Sequence, residues 1–155
     1  MDDATKSQAL VLLNKILEQE LAGVVRYTHY SFLVFGHSRI PIVSWLRDQA
    51  AESLAHAQQA GELITYLGAY PSLAIGDLLD SHQTDVSAML RESLETELEA
   101  LALYRALLTL VEGQSVLLEE YARQMVYAEE QHAGDVEKML RRPGGAAAAS
   151  PVSPV

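Results

Sequence analysis

The chain contains no cysteine. That absence removes disulfide frameworks, zinc–thiolate sites, iron–sulfur clusters and cysteine nucleophiles together, and it suits a reducing cytoplasm. Glycine and proline are also sparse, at nine and five, too few for a loop-rich β protein. Positive charge is scarce: 11 Lys and Arg stand against 21 Asp and Glu, giving a formal charge of −10 and a sequence pI near 4.8. Sequence-independent nucleic-acid binding needs Lys/Arg patches on the phosphate backbone, so no nucleic-acid partner is expected. A surface this acidic attracts cations instead. No apolar run reaches the roughly 18–20 residues of a membrane span. The opening segment MDDATKSQAL is acidic and polar, without the basic and apolar regions of a secretory leader. The expectations are therefore no membrane partner and a cytoplasmic location.

What the chain does have is apolar residues, 49% of a total of 155, ample for one domain's core. They recur at helical spacing. The first stretch carries Leu10, Leu13, Leu17, Leu21, Val24, Phe32 and Phe35. Thr5 followed by Gln8 reads as a capping box, so this helix spans 5–35. The second stretch starts near Pro41, a favoured first-turn residue, and runs to Leu67, where Gly68 stops it. The third covers 84–111 and the fourth 116–140, ended by Pro143. Residues 1–142 form the domain, and 143–155, rich in Gly, Ala and Pro, read as a disordered tail. Between the second and third helices lies GAYPSLAIGDLLDSHQT, a long connection. Two short connections and one long one describe an all-α, antiparallel four-helix bundle with a single long crossover.

The four stretches repeat each other chemically. The first contains ELAGVVRY, with Glu20 and, seven residues on, Tyr27; the third contains ELEALALY, with Glu97 and Tyr104. The second contains Glu52 and His56, the fourth Glu129 and His132. Glu20 to Glu52 is 52 − 20 = 32, and Glu97 to Glu129 is 129 − 97 = 32. Residues equidistant from the turn of an antiparallel hairpin lie level, so each hairpin brings its lone Glu beside its Glu/His pair. Stacked about a pseudo-two-fold axis, the hairpins converge four Glu and two His at one depth. Burying a single bare carboxylate costs several kcal/mol. Two divalent cations would balance four carboxylates, with the imidazoles neutral, so the six residues make sense as a dinuclear metal site. Oxygen and imidazole donors suit Fe(II), Mn(II) or Zn(II).

Other polar residues have plainer readings. Glu18, Glu95 and Glu99 belong to the solvent faces. Tyr27 and Tyr104 are core aromatics whose hydroxyls need partners, or hydrogen-bond donors to ligand carboxylates. His29, His37 and His82 lack partners at suitable spacing and read as surface or loop histidines. Gln49 packs or supports the site; Trp45 packs, or meets a second copy.

LNKILEQELAGVVRY, LGAYPSL and EEQHAGDVEKML resemble the ferritin-like di-iron carboxylate superfamily, bacterioferritin most of all, over about residues 8–141. One Glu from each of two helices plus Glu-x-x-His from the other two is that superfamily's ligand set. The resemblance implies two iron ions, with Glu52 and Glu129 bridging and Glu20/His56 and Glu97/His132 terminal. It implies a ferroxidase that takes Fe(II) and oxidises it with O2 or hydrogen peroxide, for iron sequestration or protection from oxidants. It also implies a homodimer or larger homo-oligomer. The alternatives are another dinuclear oxidase or manganese-catalase-like enzyme, and a non-catalytic helical module with a degenerate metal site.

The chain departs from the family pattern in three places. Glu52 and His56 are four apart, and Ser53 stands where the family's glutamate falls. Glu52 ligates from that spacing, a π-bulge absorbs the extra residue, or Glu52 points away. Leu54 stands where the family's haem-ligating Met would be, so haem is not expected. RRPGGAAAASPVSPV replaces a short fifth helix, which weighs against a 24-subunit cage.

Overall fold

The computed structural model describes residues 1–144; the segment read as a disordered tail falls, from 145 on, outside them. Four helices follow in order: α1 Asp3–Phe32, α2 Arg39–Tyr66, α3 Val86–Val111 and α4 Val116–Leu140. No strand occurs among the described residues. The chain folds as a four-helix bundle, with no helix among the described residues long and apolar enough to cross a membrane.

Local chemistry sets the helix ends. The carboxylates of Asp2 and Asp85 accept from the Thr5 and Ala88 amides at 2.7 and 2.8 Å, closing the first turns of α1 and α3. α1 is thus capped by Asp2, three residues ahead of the expected Thr5 box. An acceptor at Asp2 already satisfies the Thr5 amide. α2 ends in a Schellman motif: the Gly68 and Ala69 amides donate to Thr65 and Ile64 carbonyls at 2.9 and 3.1 Å. Gly68 holds φ +81°, open to a residue without Cβ.

α1 packs on α2 and on α3, and α3 packs on α4. α1 and α3 run antiparallel, since Tyr27 meets Glu97 while Tyr104 meets Glu20. The connection from α2 to α3 has no regular structure and runs along α1. The Ser72 amide donates to Asn14 Oδ1 at 2.7 Å, the Gly76 amide to the Glu18 carbonyl at 2.8 Å, and His82 reaches His29. It thereby carries the chain from one end of the bundle to the other.

The core is divided. One apolar cluster gathers Leu13, Ile16, Ile64, Leu107, Val111 and Leu118; a second gathers Tyr27, Tyr30, Val34, Leu46 and Met89. Between them lies a belt of buried polar groups, among them Glu20, His56, Ser93, Thr96 and Glu129. Phe32 and Phe35, expected on the core stripe, are 58% and 66% exposed. Phe32 is the last residue of α1, and Phe35 lies beyond the helix, where the helical period no longer aims side chains inward.

Candidate metal centre

The belt is where the six acidic and imidazole residues meet. His56 Nδ1 lies 3.1 Å from Glu129 Oε1 and 3.4 Å from Glu20 Oε1. Glu20, His56 and Glu129 bring their donor atoms within 4.8 Å of one another, close enough to share one metal ion. On the other side, His132 Nε2 lies 4.0 Å from Glu97 Oε1, and Glu97 also contacts Glu129. A cavity of about 10 Å³ remains at the centre, lined by Glu52, Ser53, His56, Glu97, Glu129 and His132.

The tyrosines cross. Each sits seven residues after a Glu on its own helix, yet each donates to the Glu of the other helix. Tyr27 Oη gives its hydrogen bond to Glu97 Oε1 at 2.6 Å, and Tyr104 Oη to Glu20 Oε1 at 2.7 Å. In an antiparallel pair the positions match because 20 + 104 and 27 + 97 are both 124. Burial, with the neighbouring carboxylates, holds both phenols well above their usual pKa, so they stay donors. Tyr27 Oη also lies 3.4 Å from His132 Nε2.

Protons are held tightly here. Burial depresses the His56 imidazole, but hydrogen bonds and charge from Glu129 and Glu20 outweigh it and raise its pKa to about 10. Burial, reinforced by Glu97 and Glu20 and opposed by His56, pushes Glu129 upward. The two shifts compete, since a neutral Glu129 would support His56 less. The 3.1 Å contact, with Glu20 alongside, makes the imidazolium the better-defined proton holder. Without a cation, crowded carboxylates reduce their repulsion by binding protons.

The second helix is where the sequence left the ligand set open. α2 is a continuous α-helix, without a π-bulge. Ser53, three before His56, is buried against α1, where a Cβ on Gly23 would lie 2.8 Å from its Oγ. Glu52, four before His56, lines the centre from its solvent side, its Oε1 3.9 Å from His56 Nε2 and its side chain 47% exposed. His56 therefore turns Nδ1 to the buried acids and Nε2 to Glu52.

Trp45, read as a packing residue, stacks on the His132 ring at 6.0 Å between centroids with 26° between planes, and meets Tyr27 edge-on at 6.3 Å. Its signal was legible: Trp45, Gln49, Glu52 and His56 are spaced four, three and four, one helical face. His29 and His82, expected to stand alone, meet each other with ring nitrogens 3.3 Å apart. Glu95 and Glu99 face solvent, as expected.

Comparison with known proteins agrees with the four-helix fold. Among solved structures, a ferritin-like diiron-carboxylate protein from Bacillus anthracis superposes with TM-score 0.84 at 20% identity, covering 91% of this chain and 100% of its own. Rhodobacter capsulatus bacterioferritin, described with a metal-free dinuclear site and a haem iron, gives 0.76 at 20% identity over 86% and 84%. A dodecameric thioferritin from Bacteroides fragilis gives 0.78 at 21% identity over 87% and 85%. No curated protein sequence matches the chain. A family model described as the ferritin-like domain matches residues 10–143, and the chain belongs to that family.

Proposed function

We propose that this protein is a dinuclear ferroxidase, taking Fe(II) as substrate and oxidising it with O2 or hydrogen peroxide. The observation that carries the reading is the meeting of Glu20, His56 and Glu129 within 4.8 Å in a buried belt, with Glu97 and His132 adjoining. Two divalent cations would offset the charge of so many carboxylates in a core. Glu20 with His56, and Glu97 with His132, would hold the two ions, with Glu129 between the two sets and Glu52 on the solvent side. Bound as a pair, two Fe(II) would give up one electron each, and these two electrons with two protons take O2 to hydrogen peroxide, or hydrogen peroxide to two waters. Tyr27 and Tyr104 orient Glu97 and Glu20 through their hydroxyls. Protons on His56 and Glu129 leave as cations enter. Exposed Glu52 marks the side from which Fe(II) approaches, and the acidic surface favours that approach.

A homo-oligomer is part of the same reading. Phe35, Ile40, Tyr70 and Leu73 are exposed apolar groups at the α1–α2 turn and on the crossover, and the thioferritin neighbour is described as a dodecamer. Oxidation of Fe(II) serves sequestration or removal of oxidant.

One observation favours a second reading, a mononuclear site. Among the described residues only Glu20, His56 and Glu129 bring their donors within 4.8 Å of one another, and Glu52 is half exposed. Anaerobic Fe(II) titration of metal-free protein, followed by oxygen and absorbance near 300–350 nm, separates the two. Saturation at about two Fe(II) per chain with oxidation faster than in buffer supports the ferroxidase. One Fe(II) per chain, or oxidation no faster than buffer, overturns it.

A further inference from the structure

Outside the acid–imidazole belt, two histidines meet where the crossover lies on α1. His29 Nε2 is 3.3 Å from His82 Nδ1, with the ring centroids 5.2 Å apart and the planes tilted by 59°. The two residues are 53 apart in sequence, so the fold makes this contact. Neither ring is buried: His29 is partly exposed on α1 and His82 is exposed on the crossover. Both neighbours of His82 are tied down. Ser81 Oγ and Gln83 Nε2 each donate to Glu92 of α3 at 3.0 Å. The His82 backbone is thus held from both sides, and helix α1 holds His29, so the pair is positioned by groups other than itself.

The geometry distinguishes two uses of such a pair. A collinear N–H···N bond of the same length would hold the centroids about 5.6 Å apart. The observed 5.2 Å is shorter, so the contact is bent, which weakens it as a hydrogen bond. Two imidazoles on one tetrahedral ion, with metal–nitrogen bonds of about 2.0–2.1 Å, place their nitrogens about 3.3–3.4 Å apart and their centroids about 5.2–5.3 Å apart. Both separations match those of His29 and His82. Among the described residues no third His, Asp or Glu completes a cluster with them within 4.8 Å. Water would therefore fill the remaining positions, and the exposure of the pair admits it.

We propose that His29 and His82 bind one borderline divalent metal ion, such as Zn(II), and that this ion clamps the crossover to α1. The donor set decides the class of ion. Two neutral imidazoles suit zinc and copper, whereas magnesium and calcium require oxygen ligands, which this pair does not offer. The site differs from the belt in the same respect, since carboxylates dominate there. It shares no residue with the belt and does not depend on what the belt binds.

The test adds Zn(II) to the metal-free full chain at about pH 8, where free imidazole is neutral. Nitrogen-15 imidazole NMR follows each of the five histidines separately, so filling of the belt, reported by His56 and His132, is read apart from the pair. The His29 and His82 signals should move together, saturate at one ion per chain beyond those at the belt, and respond at lower Zn(II) than His37, a lone imidazole. Excess Mg(II) should not compete. His82→Ala, at an exposed residue, should abolish the response of His29, and His29→Ala that of His82. His56→Gln should change the belt's response and leave the pair's intact, so the two sites fail independently. Absence of a saturable shift at His29 and His82 overturns the proposal. So does a His29 response that persists unchanged in His82→Ala, or displacement of Zn(II) from the pair by Mg(II).

Discussion

Tyr104→Phe removes one oxygen atom and little else. The ring is fully buried and stays packed, so no cavity of consequence forms. What is lost is the 2.7 Å hydrogen bond to Glu20 Oε1. A hydrogen bond to a charged group contributes roughly 1.5–3 kcal/mol when its loss leaves the partner buried and unsatisfied. Glu20 keeps His56 Nδ1 at 3.4 Å, a longer contact, so the expected loss is about 2 kcal/mol. Tyr27→Phe removes the matching bond, but Glu97 is 12% exposed at its side chain against 7% for Glu20. Water can replace part of what Tyr27 supplied, and about 1 kcal/mol is expected there. Urea denaturation of the metal-free variants, with unchanged m-values, reads both numbers. The crossed arrangement also predicts that each variant weakens metal binding by about 10–100-fold, as loss of a group supporting a ligand does. Stability within about 0.5 kcal/mol of the parent for Tyr104→Phe, or a larger loss for Tyr27→Phe, would refute the reasoning.

Three further outcomes are expected. Glu52→Ala should leave metal-free stability unchanged, because the side chain is half exposed, while Fe(II) capacity falls from about two per chain to about one; capacity unchanged on titration would exclude Glu52 as a ligand. The raised pKa of His56, about 10, lies above its value in the unfolded chain, near 6.5. Its contribution to stability is therefore complete below about pH 6.5 and lost as pH rises towards 10. Urea midpoints of metal-free protein should decline across that window and flatten in His56→Gln; parallel pH profiles for the two proteins would contradict the assignment. Gly76→Ala adds a Cβ 3.2 Å from the Glu18 carbonyl and 3.3 Å from Gln19 Cα, helix backbone that cannot move aside. A cost of about 1–3 kcal/mol is expected, and a melting temperature equal to the parent's would show that the crossover shifts instead.

The bundle was legible because each helix announced itself twice, by period and by punctuation. Val116–Leu140 emerged with the expected bounds, since Ser115 and Pro143 bracket a regular stripe. The belt was legible because the two hairpins share a step of 32 residues, and level positions in an antiparallel hairpin follow from spacing alone. The crossed tyrosines were not. Their pairing depends on the register of α1 against α3, set by an irregular crossover whose path no periodicity encodes. The cap at Asp2 was missed because Thr5 and Gln8 fitted the same turn, and a single sequence does not rank two acceptors competing for one amide.

The departure on α2 has a packing cause that sequence spacing could not supply. Three residues before a buried histidine, the helix face turns towards α1, and there the two helices come close. Gly23 presents no Cβ to Ser53, and a Cβ would already lie 2.8 Å from the serine oxygen. A glutamate at 53 would have to thread its longer chain through that contact. One position earlier, the helix rotates the side chain about 100° towards solvent, where Glu52 has room and still borders the centre. Close helix approach and a displaced, half-exposed carboxylate are thus two sides of one arrangement. A small residue at 53 lets α1 and α2 bring Glu20 and His56 into contact. The acid that would have occupied that site stands at the rim instead, half exposed and bordering the centre.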